Sequence, residues 1–229
     1  MTKITTFYGT SVGKKVVMAA SGVIFFGFVV VHILGNLQIF KGPDALNEYA
    51  AFLQGLGTFK WFVRILLGLS IIIHIVSATQ VTLQSWAARP VKYAVTKYKE
   101  TTYAARTMRI GGPLIGLFVI YHLLHLTTGQ LHPVKEGFIH TAGTIPNVYN
   151  NVVFGFQDYL VSGIYIFTMI LIGLHLYHGL WSMLQSVGMS HKKWNYLRKW
   201  FAVAFALFIA VAGISIPVAV LTGFLTPVL

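Results

Sequence analysis

Histidines are the side chains in this sequence with the most chemistry to offer. The chain has nine histidines, compared with five Asp and Glu residues in total. Six of the histidines lie within long apolar runs, namely His32, His74, His122, His125, His175 and His178. An ionisable side chain inside a membrane-crossing run is costly unless it pairs or binds something, so each one marks a functional site by default. For any one of them, a hydrogen bond to a neighbouring helix is the structural alternative.

The first four apolar runs repeat one pattern, a histidine between apolar neighbours. The segments are Val31-His32-Ile33, Ile73-His74-Ile75, Tyr121-His122-Leu123 and Leu174-His175-Leu176. Imidazole is a good iron ligand, and two imidazoles on opposite faces of a porphyrin leave no open coordination position, which favours electron transfer over oxygen chemistry. Four such ligands predict two haem groups. The chain has no cysteine, so the haems would be held non-covalently.

The spacing of the histidines limits how they can share these roles. His122 and His125 are three residues apart, as are His175 and His178, so each pair lies on nearly one face of a helix and only one member of each is expected to be a ligand. His32 lies seventeen residues after Lys15 and nine before Lys41, nearer one end of its run. The same count places His74, His122 and His175 nearer the centres of their runs. It does not decide which histidines bind the same haem.

The elements that position these residues are five predicted transmembrane helices. The chain is 56% hydrophobic and 10% charged, with a mean hydropathy of +0.72, which is too apolar for an ordinary soluble domain. A helix needs roughly 20 mostly apolar residues to cross a bilayer. We therefore predict an all-α, polytopic membrane protein with a single domain over residues 1–229. The spans are approximately Val16 to Ile39, Phe59 to Leu83, Ile110 to Gln130, Tyr159 to Leu184, and Trp200 to Leu225.

The formal net charge of +12 is distributed unevenly between the two ends of these spans. One end has thirteen Lys and Arg residues: Lys3, Lys14, Lys15, Arg89, Lys92, Lys97, Lys99, Arg106, Arg109, Lys192, Lys193, Arg198 and Lys199. The other end has four: Lys41, Lys60, Arg64 and Lys135. The positive-inside rule then places the N-terminus in the cytoplasm and the C-terminus outside. Because these charges lie in short connections and form no single basic face, we exclude nucleic-acid binding.

Four segments in this order carry a resemblance to a known family. They are Val31-His32-Ile33-Leu34-Gly35-Asn36, His74 in the middle of the second span, Arg109-Ile110-Gly111-Gly112 ahead of His122, and His175 followed by Gly179-Leu180-Trp181-Ser182. With five spans and this orientation, nearly the whole chain resembles the di-haem cytochrome b anchor subunit of succinate:quinone oxidoreductases and fumarate reductases, the type with one five-helix anchor.

The resemblance implies a role for each residue that matches the family pattern. His32 and His122 would be the axial ligands of an outer haem b, and His74 and His175 those of an inner haem b. His178 fills the polar position that the family motif has after its fourth ligand. Some relatives carry a Glu, used to move protons across the membrane, at the position that is Gly173 here. A proton route built on that Glu is therefore not expected.

The resemblance also implies partners and a location. A flavoprotein subunit would hold the dicarboxylate site, and an iron–sulfur subunit would dock on the cytoplasmic side, in a bacterial inner membrane. This chain would belong to that oxidoreductase complex as the subunit that exchanges electrons with a membrane quinone, expected to be menaquinone. The working direction and a dimer of the whole complex stay open.

The quinone site is the least constrained part of this prediction. Of the acids near the predicted outer ends of the spans, Asp44, Glu48, Glu136 and Asp158, we take Glu48 as the candidate proton acceptor, with plain interfacial solvation as the alternative. Tyr121 and His125 are further candidates for contact with the quinone. Two other classes remain open: the cytochrome b of a membrane hydrogenase or formate dehydrogenase, and a non-haem transporter that uses histidines as proton relays.

Overall fold

The structure is a computed structural model that describes residues 7–89, 91, 101–133 and 147–228. These residues form helices and turns, with no strand among them. The helices are α1 (Ser11–Asn36), α2 (Pro43–Gly55), α3 (Gly57–Ala87), α4 (Tyr103–His122), α5 (Val148–Gln157), α6 (Tyr159–Ser186) and α7 (Asn195–Leu221). A 3₁₀ turn, Leu37–Lys41, extends α1, and a π-helical turn, Leu123–Thr127, extends α4. Outside the described residues lie Lys3, Lys92, Lys97, Lys99, Lys135 and Glu136.

Five helices are long and apolar enough to cross a membrane, which confirms the predicted number of spans and fits a multi-pass membrane protein. The largest differences from the predicted bounds lie at the N-terminal ends. The span predicted to begin at Ile110 begins at Tyr103, and the one predicted from Trp200 begins at Asn195. Hydropathy marks only the apolar centre of a span, whereas backbone hydrogen bonding continues through polar residues until a cap ends it.

Side-chain caps fix the first residues of three of the long helices. The Thr10 hydroxyl accepts a hydrogen bond from the Gly13 N–H (2.9 Å) at the start of α1. Thr102 caps α4 through the Ala105 N–H (3.2 Å). Asp158 caps α6, its carboxylate accepting from the N–H groups of the two residues that open the helix beyond Tyr159. These residues satisfy N–H groups that have no partner within the helix.

The four histidine-bearing helices do not pack as a closed bundle. Helix α3 packs along α1, α4 packs along α6, and α1 and α6 contact each other. The described residues show no close packing of α1 with α4 or of α3 with α6. Helix α7 packs closely on α6, where a Cβ at Gly213 would collide with the Met169 side chain. Side chains, rather than closely packed backbone, therefore face each other between α1 and α4 and between α3 and α6.

The two ends of the helices differ, and we name them for their content. The cap end holds α2, α5 and the C-terminal residues, and a cluster of buried side chains fills it, including Ile39, Val153 and Phe156. The Asn150 side chain ties the C-terminal segment to α5 by bonds to the backbone of Val228, 2.7 and 2.9 Å long. The basic end holds the last turns of α3 and α6 and the first turns of α1, α4 and α7, with most of the described Lys and Arg residues.

Candidate functional site

Near the cap end, the rings of His32 and His122 face each other between α1 and α4. Their centroids are 5.8 Å apart and their planes are close to perpendicular, at 87°. His122 Nδ1 lies 3.1 Å from the Tyr165 hydroxyl, which leaves Nε2 as the nitrogen available for a metal. The Asn36 amide lies 3.2 Å from His32 Nε2, so this side chain would have to turn aside before that nitrogen could bind iron. The structure thus brings together the first predicted pair.

The second ring pair lies nearer the basic end, between α3 and α6. The ring centroids of His74 and His175 are 6.2 Å apart, with an angle of 52° between the planes. His74 Nδ1 lies 3.1 Å from the Met18 carbonyl oxygen. Because a carbonyl oxygen can only accept, Nδ1 must carry the proton, and Nε2 of the neutral ring keeps its lone pair free for a metal. His175 Nδ1 is buried and has no hydrogen-bond partner.

The two pairs occupy separate levels of the structure. His74 also lies 3.1 Å from the Ser21 hydroxyl of α1, so Ser21 marks the level of the second pair on the helix that carries His32. The eleven residues from Ser21 to His32 correspond to about 16 Å along a helix. The count from charged ends grouped His122 with the central histidines, whereas its ring lies beside His32, because α4 reaches its π turn directly after His122.

Both pairs have a separation that suits one metal ion held between two imidazoles. A bond from an imidazole nitrogen to a metal is about 2 Å, so two rings on opposite sides of one iron have centroids about 6 Å apart. The observed separations are 5.8 and 6.2 Å. Among the described residues, no group of three or more His, Asp or Glu side chains could hold a metal ion. Both pairs therefore fit the axial positions of a haem iron.

Sequence reasoning missed Tyr165, a residue of α6 that is 5% exposed. Its hydroxyl lies 2.8 Å from His125 Nδ1 as well as 3.1 Å from His122 Nδ1. A tyrosine hydroxyl donates one hydrogen bond and accepts others, so it can accept from His122 while it donates to His125. This shared bond orients the His122 ring. Nothing in the local sequence distinguishes Tyr165 from the other tyrosines of the chain; its position opposite α4 is tertiary information.

His125, a predicted quinone contact, is fully buried, with 0% of its surface exposed. The ring stacks between Tyr121 and His132, at centroid distances of 5.6 and 5.3 Å. A Cβ at Gly155 would lie 2.8 Å from His125 Nε2, so α5 closes the remaining edge. His125 is packed as part of the wall of the cap end, and a quinone ring could reach it only if α5 moved. Tyr121 is partly buried beside it.

His132 is a second residue that sequence reasoning missed, because it lies beyond the apolar run. It is 1% exposed, and its Nε2 lies 2.7 Å from the Asn151 carbonyl oxygen of α5. The π turn and the residues after it bring His132 back against His125. His122 and His125 thus share the Tyr165 hydroxyl, and His132 packs on the far side of His125.

The remaining predicted residues lie apart from this group. Glu48 is exposed on α2, whereas its neighbour Tyr49 packs against Gly35 of α1. Asp158 is used as the cap of α6. At Gly173, a Cβ would lie 3.1 Å from the Ala210 Cβ of α7, which is tighter than most real contacts. The close approach of α6 and α7 explains why a large acidic side chain does not fit at that position.

Comparison of the chain with protein-family models, with curated proteins and with solved structures finds no match.

Proposed function

We propose that this chain is a di-haem cytochrome b that anchors a succinate:quinone oxidoreductase or fumarate reductase in the bacterial inner membrane. The observation that carries the proposal is the pairing of four intramembrane histidines into two facing ring pairs, His32 with His122 and His74 with His175. Two haem b groups held there would supply a one-electron relay across much of the bilayer. Their separation along α1, about 16 Å by helix rise, keeps them at two distinct depths.

The residues around the rings support this role. His74 is fixed in the tautomer that leaves Nε2 free by its bond to the Met18 carbonyl, and His122 is oriented by Tyr165. Partners of this kind, which bond the second ring nitrogen, are a general feature of metal-binding histidines. The helices that carry each pair do not pack closely on each other. A flat cofactor between them would therefore displace ring contacts and little backbone packing.

The positive-inside rule would orient the complex with its basic end in the cytoplasm. An iron–sulfur subunit docked at this end would be nearer to the His74 pair, and the flavoprotein beyond it would hold the dicarboxylate site. Exchange of electrons with menaquinone would then take place near the cap end. Because His125 is enclosed, we place the quinone outside its ring, with Glu48 on the exposed face of α2 as the proposed proton acceptor.

The first experiment is a reduced-minus-oxidised absorption spectrum with a pyridine haemochrome count on the purified chain. We expect two haems b per chain. We expect His32→Ala and His122→Ala to affect one haem, and His74→Ala and His175→Ala to affect the other. A double variant within one pair should lose no more haem than its singles, while a double variant across pairs should lose both. His191→Ala, in an exposed connection, is the matched control and should keep two haems.

A second measurement separates the proposed complex from other cytochromes b. In native membranes that contain the partner subunits, succinate should reduce the haems of this chain, and a dicarboxylate inhibitor should prevent it. Reduction by hydrogen or formate instead would assign the chain to a hydrogenase or formate dehydrogenase. A purified chain without any haem absorption would refute the cytochrome proposal and favour a transporter.

A further inference from the structure

Arg198, in the first turn of α7, is a buried cation outside the two histidine pairs. Its side chain is 8% exposed. Nη1 donates a 2.8 Å hydrogen bond to the Met189 carbonyl oxygen, and the guanidinium lies over the Trp181 ring, 4.7 Å from its centroid. Nε and Nη2 are buried and have no hydrogen-bond partner. Burying a charged group with unpaired N–H groups costs free energy, so a hydrogen-bond acceptor at Nε and Nη2 would stabilise the side chain.

The arrangement of the unpaired groups indicates what kind of acceptor fits. Nε–H and the adjacent Nη2–H point the same way from one edge of the guanidinium, and this fork matches two oxygens of a phosphate or carboxylate. Met189 and Trp181 hold the opposite end and one face of the same group. The side chain is thus held in position with its two-pronged edge unpaired and covered by neighbouring protein atoms, which a ligand must displace to reach it. A bidentate oxyanion is the ligand that this geometry satisfies.

The described part of the chain offers no such oxyanion at the basic end. Its carboxylates, Asp44, Glu48 and Asp158, all lie at the cap end. Glu100 lies outside the described residues. The exposed cations Lys192, Lys193 and Lys199 flank Arg198 in sequence and add positive charge to this region. An anion from outside the chain is therefore favoured here.

The depth of Arg198 points to a lipid as the source of that anion. Around it α7 begins with exposed aromatic residues, Trp194 at 53%, Tyr196 at 72% and Trp200 at 54% exposure. Such aromatic belts mark the headgroup level of a bilayer. Basic pockets between transmembrane helices bind anionic lipid headgroups at this level. We propose that Arg198 binds the phosphate of an anionic phospholipid where α6 and α7 meet at the basic end. The proposal does not depend on haem binding.

Lipid-dependent thermal unfolding of the purified, delipidated full chain in detergent tests this site. The added probes are phosphatidylglycerol, phosphatidylcholine and inorganic phosphate, each titrated separately. We expect phosphatidylglycerol to raise the melting temperature of the wild type more than phosphatidylcholine does. In Arg198→Gln the apparent affinity for phosphatidylglycerol should fall about tenfold or more, because hydrogen bonds to a charged group are lost. Lys193→Gln removes an exposed cation from the same region and should lower the affinity for phosphatidylglycerol far less than Arg198→Gln does.

Several results would overturn the proposal. An unchanged phosphatidylglycerol response in Arg198→Gln would mean that the lipid does not bind there. If inorganic phosphate stabilises the protein as much as phosphatidylglycerol does, the guanidinium edge of Arg198 binds a free anion instead of a lipid. If Glu100→Gln loses the response to the same extent as Arg198→Gln, Arg198 pairs with Glu100 within the chain. If Arg198→Gln does not fold, Arg198→Lys replaces it: this variant keeps the charge but lacks the fork, and an undiminished affinity would refute bidentate binding.

Discussion

The two histidine pairs of this protein are held by different kinds of partner. Toward the cap end, His122 bonds to a side chain, the Tyr165 hydroxyl, which it shares with His125. Toward the basic end, His74 bonds to a backbone group, the Met18 carbonyl, with the Ser21 hydroxyl beside it. A backbone acceptor persists whatever side chain is present, whereas a side-chain acceptor can be removed by one substitution. The first pair is therefore expected to be the more sensitive to mutation of its surroundings.

Packing reinforces this difference. The cap end encloses His125 and His132 almost completely, using residues from the π turn, α5 and α6. The four paired rings, His32, His122, His74 and His175, are all partly buried, so the difference lies in the enclosed histidines beside the first pair. A dense region tolerates added volume poorly, because close-packed side chains cannot move independently.

The largest expected effect is from a methyl group added beside the cap-end histidines. In Gly155→Ala the new Cβ would lie 2.8 Å from His125 Nε2, and the overlap should lower the free energy of unfolding by about 1–3 kcal/mol. The matched change near the second pair is Gly22→Ala, whose Cβ would lie at an ordinary 3.7 Å from His74 Cε1. We expect the second variant to unfold at or above the wild-type temperature. Thermal unfolding of both in one detergent tests this, and equal losses would contradict the comparison.

An effect of similar or smaller size is expected from Tyr165→Phe, which removes the hydroxyl between His122 and His125. Two buried ring nitrogens lose their partner, a cost of about 1–3 kcal/mol that includes reorientation of His122. If the haem proposal is correct, the variant should also change the reduction potential of one haem and leave the other unchanged, since bonds to the outer ring nitrogen tune the ligand. A redox titration followed optically measures this.

Tyr149→Phe provides the control for that variant. Tyr149 is also 5% exposed and belongs to the same buried cluster, but its hydroxyl donates to the Thr226 carbonyl oxygen (3.2 Å) and makes no hydrogen bond to a histidine of the described residues. It should affect stability slightly and neither potential. A shift of both haem potentials in Tyr165→Phe, or the same shift in Tyr149→Phe, would show that the tyrosine does not act through His122.

The smallest effect is expected at the second pair, from Ser21→Ala. The Ser21 hydroxyl can donate its one proton within α1, to the carbonyl oxygen of Val17 or of Met18. When this hydroxyl is removed, His74 keeps the Met18 carbonyl as its acceptor. We expect less than about 1 kcal/mol of destabilisation, the usual value of one replaceable hydrogen bond. A loss as large as that of Tyr165→Phe, measured by the same unfolding assay, would mean that the two pairs depend on side chains equally.

The sequence predicted the five spans because a bilayer imposes length and hydropathy on any helix that crosses it. The predicted ends were less accurate where a cap such as Thr102 lies among polar residues that hydropathy does not resolve, whereas the predicted start at Tyr159 agrees with the structure. That only one of His122 and His125 is a ligand stays a prediction; in the structure His122 faces His32, whereas His125 stacks on His132. Glu48 and His125 were both suggested for the quinone site on residue type alone. In the fold they differ, because Glu48 is exposed on α2 whereas His125 is fully buried.

The sequence by itself determined which helices exist and which of them carry a histidine, because both depend on the order of residues along the chain. Only the tertiary structure decided which rings face each other, that Tyr165 lies between two of them, and that Arg198 turns inward with one edge unpaired. Those features join residues far apart in sequence, such as His122 and Tyr165, and arise from how the helices pack side by side. Local patterns describe the faces of a single helix, whereas contacts between helices depend on the packing of all of them together.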